Sequence, residues 1–534
     1  MAPAIDRTQQ AAARKAAKAS LSQNNQFNID KSTDFASWFE AVLDAADILD
    51  KRYPIKGMPV MKPYGFFMHN AIMDLVEKEW TKLSIDKVQF PALIPRNFLA
   101  KEEDHIKGFD KECYWVTKGG LDTLDMPLAL RPTSETAMYH MFSLWIRSFR
   151  DLPLKVHQSC AVYRYETKST RPLIRVREIH WNEAHTCHET EAEALKMLEE
   201  AWRGYLRVCY DQLGFIGVPL RRAPWDQFPG AHHSQVLDTI MPCGRVLQTI
   251  GAHYLAQHFA EVFEIKFMNR ENTESIPYMT CFGVSTRLLA AAIATHGDAN
   301  GLILPPAIAK IQVVIIPLIN KKLIAEGRDG ELRQKAEEMR DTLVEAGIRA
   351  IIDDSDKSPG AKFNHYEMLG VPLRVELGMR EVEENKICFK RRADDLSGDA
   401  AKEFASLENT NIVAFMNEQL EICRQKIVEN GRKWHDGHVT HCETLEEVKE
   451  TMTGKGGFAV IPICKDCGEQ LDGALRSSTG GEIRGFKINV ANYSEGVEEV
   501  PAGTKCFCGQ MNGHDGVEDC GHEADVYAYV ARCY

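Results

Sequence analysis

The stretch Tyr163–Cys187, YRYETKSTRPLIRVREIHWNEAHTC, constrains this chain more than any other. Two arms with strand-like alternation, Ala161–Glu166 and Ile174–Glu183, flank a short polar loop carrying Lys168, Arg171 and Pro172. The spacing predicts a hairpin. Arg164, Arg171, Arg175 and Arg177 place guanidinium groups on it, and Glu178, His180, Glu183 and His185 follow in the second arm. A solvated hairpin has no need of so many fixed planar cations, whereas a nucleotide site needs them aimed at phosphate oxygens. On these residues alone, a phosphate site and a charged surface ribbon are both open.

A length of 534 residues predicts about three or four domains. No apolar run reaches the roughly 20 residues needed to span a bilayer, and Ile311–Ile319 reads as a buried strand. Residues 1–33 form a polar leader expected to be disordered or loosely helical. It lacks the apolar core of a secretory signal, and its Ala, Arg and Lys content suits a transit peptide as well as a frayed helix. Fifteen cysteines without a secretory signal imply a reducing compartment, and cytoplasmic localisation is the expectation. A net charge of -12 is the wrong sign for a protein that coats nucleic acid; an RNA partner would have to meet a local basic face.

Hydrophobic spacing predicts an amphipathic helix from Phe35 to Ala46, a long helix from Gly65 to Leu83 with a strand ending at Pro91, and a helix over 190–212. Further helices are expected over Ala252–Phe263 and Leu288–Thr295. Pro305 and Pro306 mark a linker. Beyond it strands and helices alternate, with strands around IQVVIIPL, IRAIID, PLRVELG and ICFKR and helices at Glu331–Ala346, Ala361–Leu369 and Glu403–Ile427, the pattern of an α/β module. Lys386, Lys390, Arg391 and Arg392 could meet backbone phosphates or line a solvated edge. The polar, Gly-containing run Gly431–Gly456 suggests another boundary.

RPTSET at Arg131–Thr136 and GVSTRLLAAAIATHGDANGLILPP at Gly283–Pro306 flank the arginine hairpin in a definite order. With them the chain, from about Asp34 to Tyr534, resembles the class II prolyl-tRNA synthetases of archaeal and eukaryotic type. The resemblance implies an α/β (α+β) protein: a catalytic domain with an antiparallel sheet over 34–306, an α/β anticodon-binding domain over 307–430 and a small zinc-binding domain over 431–534. It implies a homodimer and a two-step reaction, in which proline and ATP give prolyl-adenylate and pyrophosphate, and the prolyl group then passes to its tRNA, releasing AMP. ATP would enter with magnesium. Such a transfer rests on positioning and on charge stabilisation at phosphate oxygens, so arginines matter more than a nucleophile.

Residue by residue, the resemblance assigns Arg164 to the α-phosphate and the proline carboxylate, Glu166 to the adenine amino group, and Arg287 to adenine and the γ-phosphate. Leu173, Arg175 and Val176 would line the nucleotide, with Ser285 and Thr286 at the start of the helix and Gln248 nearby. Ile179 stands where the family usually has an aromatic ring, and Gly251 where it commonly has threonine. Thr133 and Glu135 resemble the TxE signature of the proline pocket; a carboxylate beside a hydroxyl can accept both hydrogens of proline's ring ammonium. Trp181, Glu183, His185 and His253 match further pocket positions. Asp238 is a candidate for magnesium, with an exposed strand-end acid as the competing reading.

Cys464 and Cys467 form CxxC, and Cys506 and Cys508 form CxC. Two close pairs of thiolates are the right count for a closed, structural tetrahedral zinc site, and Cys520, His522 and Cys533 are alternates. A regulatory protein that reuses the fold without catalysis is the rival reading. The retained Arg164, Glu166, Arg287, Thr133 and Glu135 count against it.

Overall fold

The computed structural model describes residues 27, 29–99, 112–396, 402–407, 411–489, 496–513 and 515–534. The polar leader lies almost wholly outside the described residues. The chain forms two compact units: Leu49–Met61, Phe66–Thr295 and Val428–Tyr534 make up one, and Met1–Ile48, Lys62–Gly65 and His296–Ile427 the other.

Among the described residues, the first unit is built on a sheet of eleven strands. In chain order these are β1 (Asp86–Lys87), β2 (Leu154–Tyr163), β3 (Glu178–His188), β4 (Gly217–Arg221), β5 (His233–Ile240), β6 (Val246–Ala256), β7 (Tyr278–Ser285), β8 (Val439–His441), β9 (Phe458–Ile463), β10 (Glu482–Lys487) and β11 (Val526–Ala531). Across the sheet they run β8, β9, β11, β10, β4, β5, β6, β7, β3, β2, β1. Only the outermost pair at each end is parallel. Helix α1 (Glu135–Trp145) packs Met138, Tyr139 and Phe142 into a core with Phe259, Phe263 and Met279. Helix α2 (Glu191–Leu206) opens on a capping box, in which the Thr190 hydroxyl accepts from the Glu193 N–H and Glu193 accepts from the Thr190 N–H, so two orphan donors of its first turn are satisfied.

The hairpin is present, but its arms differ from the expected ones. The strands stop at Tyr163 and resume at Glu178, so Arg164 and Glu166 lie in a loop rather than on one strand face. The neck of that loop is closed by the Arg164 N–H on the Arg177 carbonyl (2.9 Å), and Arg177 N–H reaches Gly57 (2.8 Å).

The expected helix over Ala252–Phe263 is corrected: Val246–Ala256 is β6, followed only by a short helix at His258–Val262. A short apolar run does not distinguish a buried strand from a helix. Here β6 is laddered on both sides, by β5 and β7, and the pairing decides.

The expected boundary at Gly431 falls inside a helix, Ile412–Asp436. A side chain at Gly431 would place its Cβ 1.9 Å from the Gly214 carbonyl oxygen, so this glycine permits close packing, and the division between the two units falls just before it, at Ile427 and Val428 of the same helix. Beyond it, β10 pairs with β4 through Phe486↔Arg221 and Lys487↔Leu220. The last hundred or so residues therefore extend the sheet that carries the cleft.

The other unit contains a sheet ordered Ala350–Ile352, Val313–Pro317, Leu373–Leu377, Lys386–Arg391, Glu403–Ser406. The first three strands are parallel and the last two antiparallel. Residues 403–406 were expected to begin a helix; they form the edge strand instead, and the helix starts at Ile412. Arg391 and Arg392 are buried, contrary to both readings of that basic run. Arg391 pairs with Asp394 and Glu403, and Arg392 with Asp298 and Asp395.

Candidate active site

A cavity of about 550 Å³ opens on the sheet of the first unit, lined from β3, β5, β6 and β7, the loop 164–177 and the start of α3 (Arg287–His296). That volume falls in the range of sites for cofactor-sized ligands. It brings together every cleft residue singled out in the sequence except Asp238.

One end is acidic and imidazole-rich. Trp181, Glu183 and His185 alternate along β3 and so share one face. Thr133 and Glu135 sit where the chain enters α1, both buried, and the Thr133 hydroxyl donates to the Glu135 carboxylate. His185 meets the Tyr139 hydroxyl through Nδ1 (2.9 Å) and Glu183 through Nε2 (3.2 Å). Burial alone would raise the Glu183 carboxyl, but bonds from His185, Ser134 and Gln158 hold it below its ordinary value. His253, on β6, stacks on Phe228 at 4.7 Å, and its Nδ1 meets the Ser234 hydroxyl at 2.8 Å. Arg131, although part of RPTSET, is taken up by the Ala161 and Phe90 carbonyls.

The other end is cationic. Arg164 donates to the Pro132 carbonyl (3.1 Å) and lies over the Trp181 ring at 5.9 Å. Arg287 donates to the Ile174 and Gln248 carbonyls at 3.0 and 3.2 Å, and the Thr286 hydroxyl donates to Leu173 at 2.9 Å. The loop and the start of α3 are thereby locked to one another, with Leu173 held at φ 61°, a conformation uncommon for a non-glycine residue. The Ser285 hydroxyl accepts from the Arg287 N–H. Arg175 reaches the Tyr534 carbonyl (3.1 Å) and lies 3.8 Å from Glu166, which also accepts the Lys168 N–H. Burial lowers Arg287 to about 10, with the like charges of Arg164 and Arg175 adding to the effect. Arg164, Arg175 and Arg287 all stay partly exposed on the cavity wall, so their planar cations can meet a polyanion at this end.

Asp238 does not line the cavity. It is wholly buried beneath it, between Arg222 and Arg484, and its oxygens are occupied, which removes it as a place for magnesium. Arg222 and Arg484 do line the cleft, as do Cys281, Phe228 and Ser234, and none of these was singled out. Arg222 stood in RRAPWDQFPG and could have been weighed; Arg484 carries no local signal, because only strand pairing brings it there.

The cysteine cluster also departs from expectation. The ligand atoms of Cys464, Cys467, Cys506 and Cys520 lie within 4.8 Å of one another, so Cys520, rather than Cys508, completes the mutually close quartet. Cys508 sits 3.2 Å from Cys520 and accepts its N–H. Backbone N–H groups of Cys464 and His522 point at the Cys506 and Cys520 sulfurs. Convergent sulfurs with amide donors behind them fit a tetrahedral zinc ion. His522 faces Asp466, and the Cys533 carbonyl accepts from Arg245; neither joins the cluster.

A class II aminoacyl-tRNA synthetase core is what this sheet and cleft define: residues 114–296 match the tRNA synthetase class II core domain (G, H, P, S and T), and residues 312–409 match the anticodon binding domain. The chain is 40% identical over 509 residues to the proline–tRNA ligase of Thermococcus kodakarensis, covering 94% of this chain and 98% of that protein. Against the proline–tRNA ligase of Methanopyrus kandleri it is 42% identical over 454 residues, 85% of this chain and 90% of that one. The prolyl-tRNA synthetase of Giardia lamblia, solved in complex with prolyl-adenylate, superposes with a TM-score of 0.88 at 43% identity, covering 95% of this chain and 100% of that one. The chain belongs to the prolyl-tRNA synthetase family.

Proposed function

We propose that the two ends of the cleft divide the substrates of proline–tRNA ligation, ATP-dependent attachment of proline to its tRNA through prolyl-adenylate. The acidic end takes proline: Thr133 and Glu135 accept the ring ammonium, and Trp181, Glu183, His185 and His253 close the pocket around it. The cationic end takes ATP, with Arg164 between the α-phosphate and the proline carboxylate, Arg287 on adenine and the γ-phosphate, and Glu166 on the adenine amino group. Leu173, Arg175, Val176, Ile179, Gln248, Gly251, Ser285 and Thr286 line the nucleotide. The proline carboxylate attacks the α-phosphorus, and pyrophosphate leaves; the tRNA ribose hydroxyl then takes the prolyl group, and AMP leaves. No side chain need become covalently bonded. Fixed guanidinium groups stabilise charge as it shifts among phosphate oxygens, with no reorganisation at the moment of reaction.

The observation that carries this reading is one cavity lined at one end by Arg164, Arg175 and Arg287 and at the other by the buried Thr133 and Glu135. Magnesium comes with ATP as part of the substrate complex. Zinc on the C-terminal cysteines is structural. The enzyme works as a homodimer, for which the exposed Leu93, Met126, Leu144 and Trp145 supply apolar surface. Among the described residues no helix is long and apolar enough to cross a membrane, and the cytoplasm is the proposed location.

The test is amino-acid-dependent ATP–pyrophosphate exchange without tRNA, comparing proline, alanine, cysteine and threonine. Proline should drive exchange best, and Arg164→Ala should abolish it. No exchange with any amino acid, in folded protein, would return the reading to a non-catalytic one.

A further inference from the structure

Asp238 sits on β5 with no exposed surface. Its two oxygens receive Arg222 Nη1 and Nη2, each at 3.3 Å, and Arg484 Nε at 2.8 Å. Arg222 directly follows β4, whereas Arg484 stands on β10. The two arginines are also tied to each other, through Arg222 Nη1 and the Arg484 carbonyl at 2.6 Å. Burial alone would raise Asp238, but the two guanidinium groups hold it below the usual carboxylate range. The same fork of Arg222 reaches one step further: its Nη2 donates to Gln248 Oε1 at 3.0 Å. A side-chain amide has one acceptor oxygen and one NH₂ group. With the oxygen claimed by Arg222, the Gln248 NH₂ is the group left for a ligand at the nucleotide end.

We infer that Asp238, Arg222 and Arg484 form a positioning relay that fixes the Gln248 amide with its NH₂ presented to an acceptor oxygen of the nucleotide, so that β10 belongs to the active site. The inference rests on the proposed placement of ATP at that end. Glu482 steadies the far side of Arg484, while Asp226 lies 3.7 Å from Arg222 Nε, so charge within the cluster is balanced by acids on three elements. The relay therefore acts through orientation rather than through excess charge. None of its three members need touch the reacting atoms, although Arg222 and Arg484 reach the cleft wall.

The experiment is direct calorimetric binding of ATP, and separately of proline, to the full-length protein and its variants. Asp238→Asn and Gln248→Ala should each weaken ATP about tenfold, the scale of a lost hydrogen bond to a charged ligand, with proline binding changed less than about twofold. The double variant should bind ATP no worse than either single one, since both remove the same oriented donor. Gln248→Glu keeps an acceptor for Arg222 but has no NH₂, and should bind ATP as poorly as Gln248→Ala. If Asp238→Asn does not fold, Arg484→Lys, which keeps the charge but loses the fork, serves in its place and should show the same selective loss. Additive losses in the double variant, equal losses for ATP and proline, or a fall in Tm with ATP binding intact would each overturn the relay. ATP binding is read without reference to the amino acid, so a protein that binds ATP but exchanges with none refutes the proline reading and leaves the relay to the affinities.

Discussion

Arg287, partly exposed on the cleft, and Arg392, buried in the α/β unit, have opposite surroundings. Burial lowers Arg287, and the like charges of Arg164 and Arg175 lower it further against a smaller opposing effect of Asp238. Burial would lower Arg392 as well, but Asp298 and Asp395 outweigh it and raise the group. Arg392 holds Asp298 at 2.6 and 2.9 Å and Asp395 at 2.5 Å. Arg391 has Asp394, Glu403 and Gln419. The contrast separates two uses of an arginine. One satisfied by acids from its own unit is architecture, and one crowded by like charges is waiting for a ligand.

Removing a cation from each region breaks the comparison most directly. Arg287→Ala should lower the rate of proline-dependent ATP–pyrophosphate exchange by about a thousandfold, the scale of one preorganised charge contact in a transition state, while the variant melts close to wild type. Relief of repulsion from Arg164 and Arg175 offsets the loss of the Arg287 bonds to the Ile174 and Gln248 carbonyls, so stability should stay near wild type. Exchange that survives within about tenfold would mean that the cation crowding does not mark the phosphate site.

Arg392→Ala should do the reverse. It leaves Asp298 and Asp395 short of their shared partner, and breaking a buried pair costs about 3 kcal/mol or more. Chemical denaturation should show that loss, whereas exchange per folded molecule stays near wild type. A variant as stable as wild type would show that these acids rehydrate freely, and the architectural reading of the basic run would go with it.

Acid sharpens the contrast without mutation. His69 and His188 are buried in the cleft-bearing unit, and both are lowered to about 4, by burial first and then by His180 and Lys155 respectively. An unfolded histidine titrates near 6.5, so below that pH the unfolded chain binds the protons first, and stability falls as pH drops from about 6.5 toward 4. The loss is roughly 1–2 kcal/mol per histidine by pH 5. Burial alone would raise Asp298, but the bond and charge of Arg392, the Asn300 N–H and the Lys31 charge together hold it below its ordinary value. Its contribution is complete above the unfolded pKa, about 3.9, and is lost only below that. Denaturation between pH 7 and 5 should therefore weaken wild type, and His69→Gln should flatten the dependence. An unchanged slope in that variant would remove His69 from the account.

How far the sequence was legible follows from the same distinction. Arg164, Arg287, Thr133 and Glu135 stood out because a nucleotide and a ring ammonium demand particular side chains, and those demands leave local motifs. The alternation of strands and helices after Ile311 was equally local. Arg222, Asp238 and Arg484 were not legible as a group, because they meet only through the β4–β10 pairing, with Arg484 far along the chain from Asp238. Cys520 stood only among the alternates for a related reason: the loop after Cys508 brings it back to Cys464, at 3.6 Å between sulfurs, and loop closure leaves no spacing signature. The acids that neutralise Arg391 and Arg392 include near neighbours, Asp394 and Asp395, and these could have been read as partners. The strand at 246–256 looked helical because both of its faces are buried.

The smallest expected effect lies at Gly251, where the family commonly carries threonine and this chain has no side chain. A Cβ built there would come 3.1 Å from His253 Nε2 and 3.4 Å from Gln248 Nε2, so it would press on one residue from each end of the cleft. Its backbone does not adopt a left-handed φ, and the cost of a side chain is therefore contact rather than strain. Both neighbours are side-chain tips able to give a few tenths of an ångström, but each is held elsewhere, His253 by Ser234 and Gln248 by Arg222. Gly251→Ala should raise KM for ATP and for proline together, by about two- to fivefold, or up to about 1 kcal/mol, with kcat nearly unchanged. A rise confined to ATP would mean that His253 lies clear of proline, whereas a rise confined to proline would detach Gln248 from the nucleotide. The position thus reports, in a single variant, whether the acidic and cationic ends meet where the geometry places their boundary.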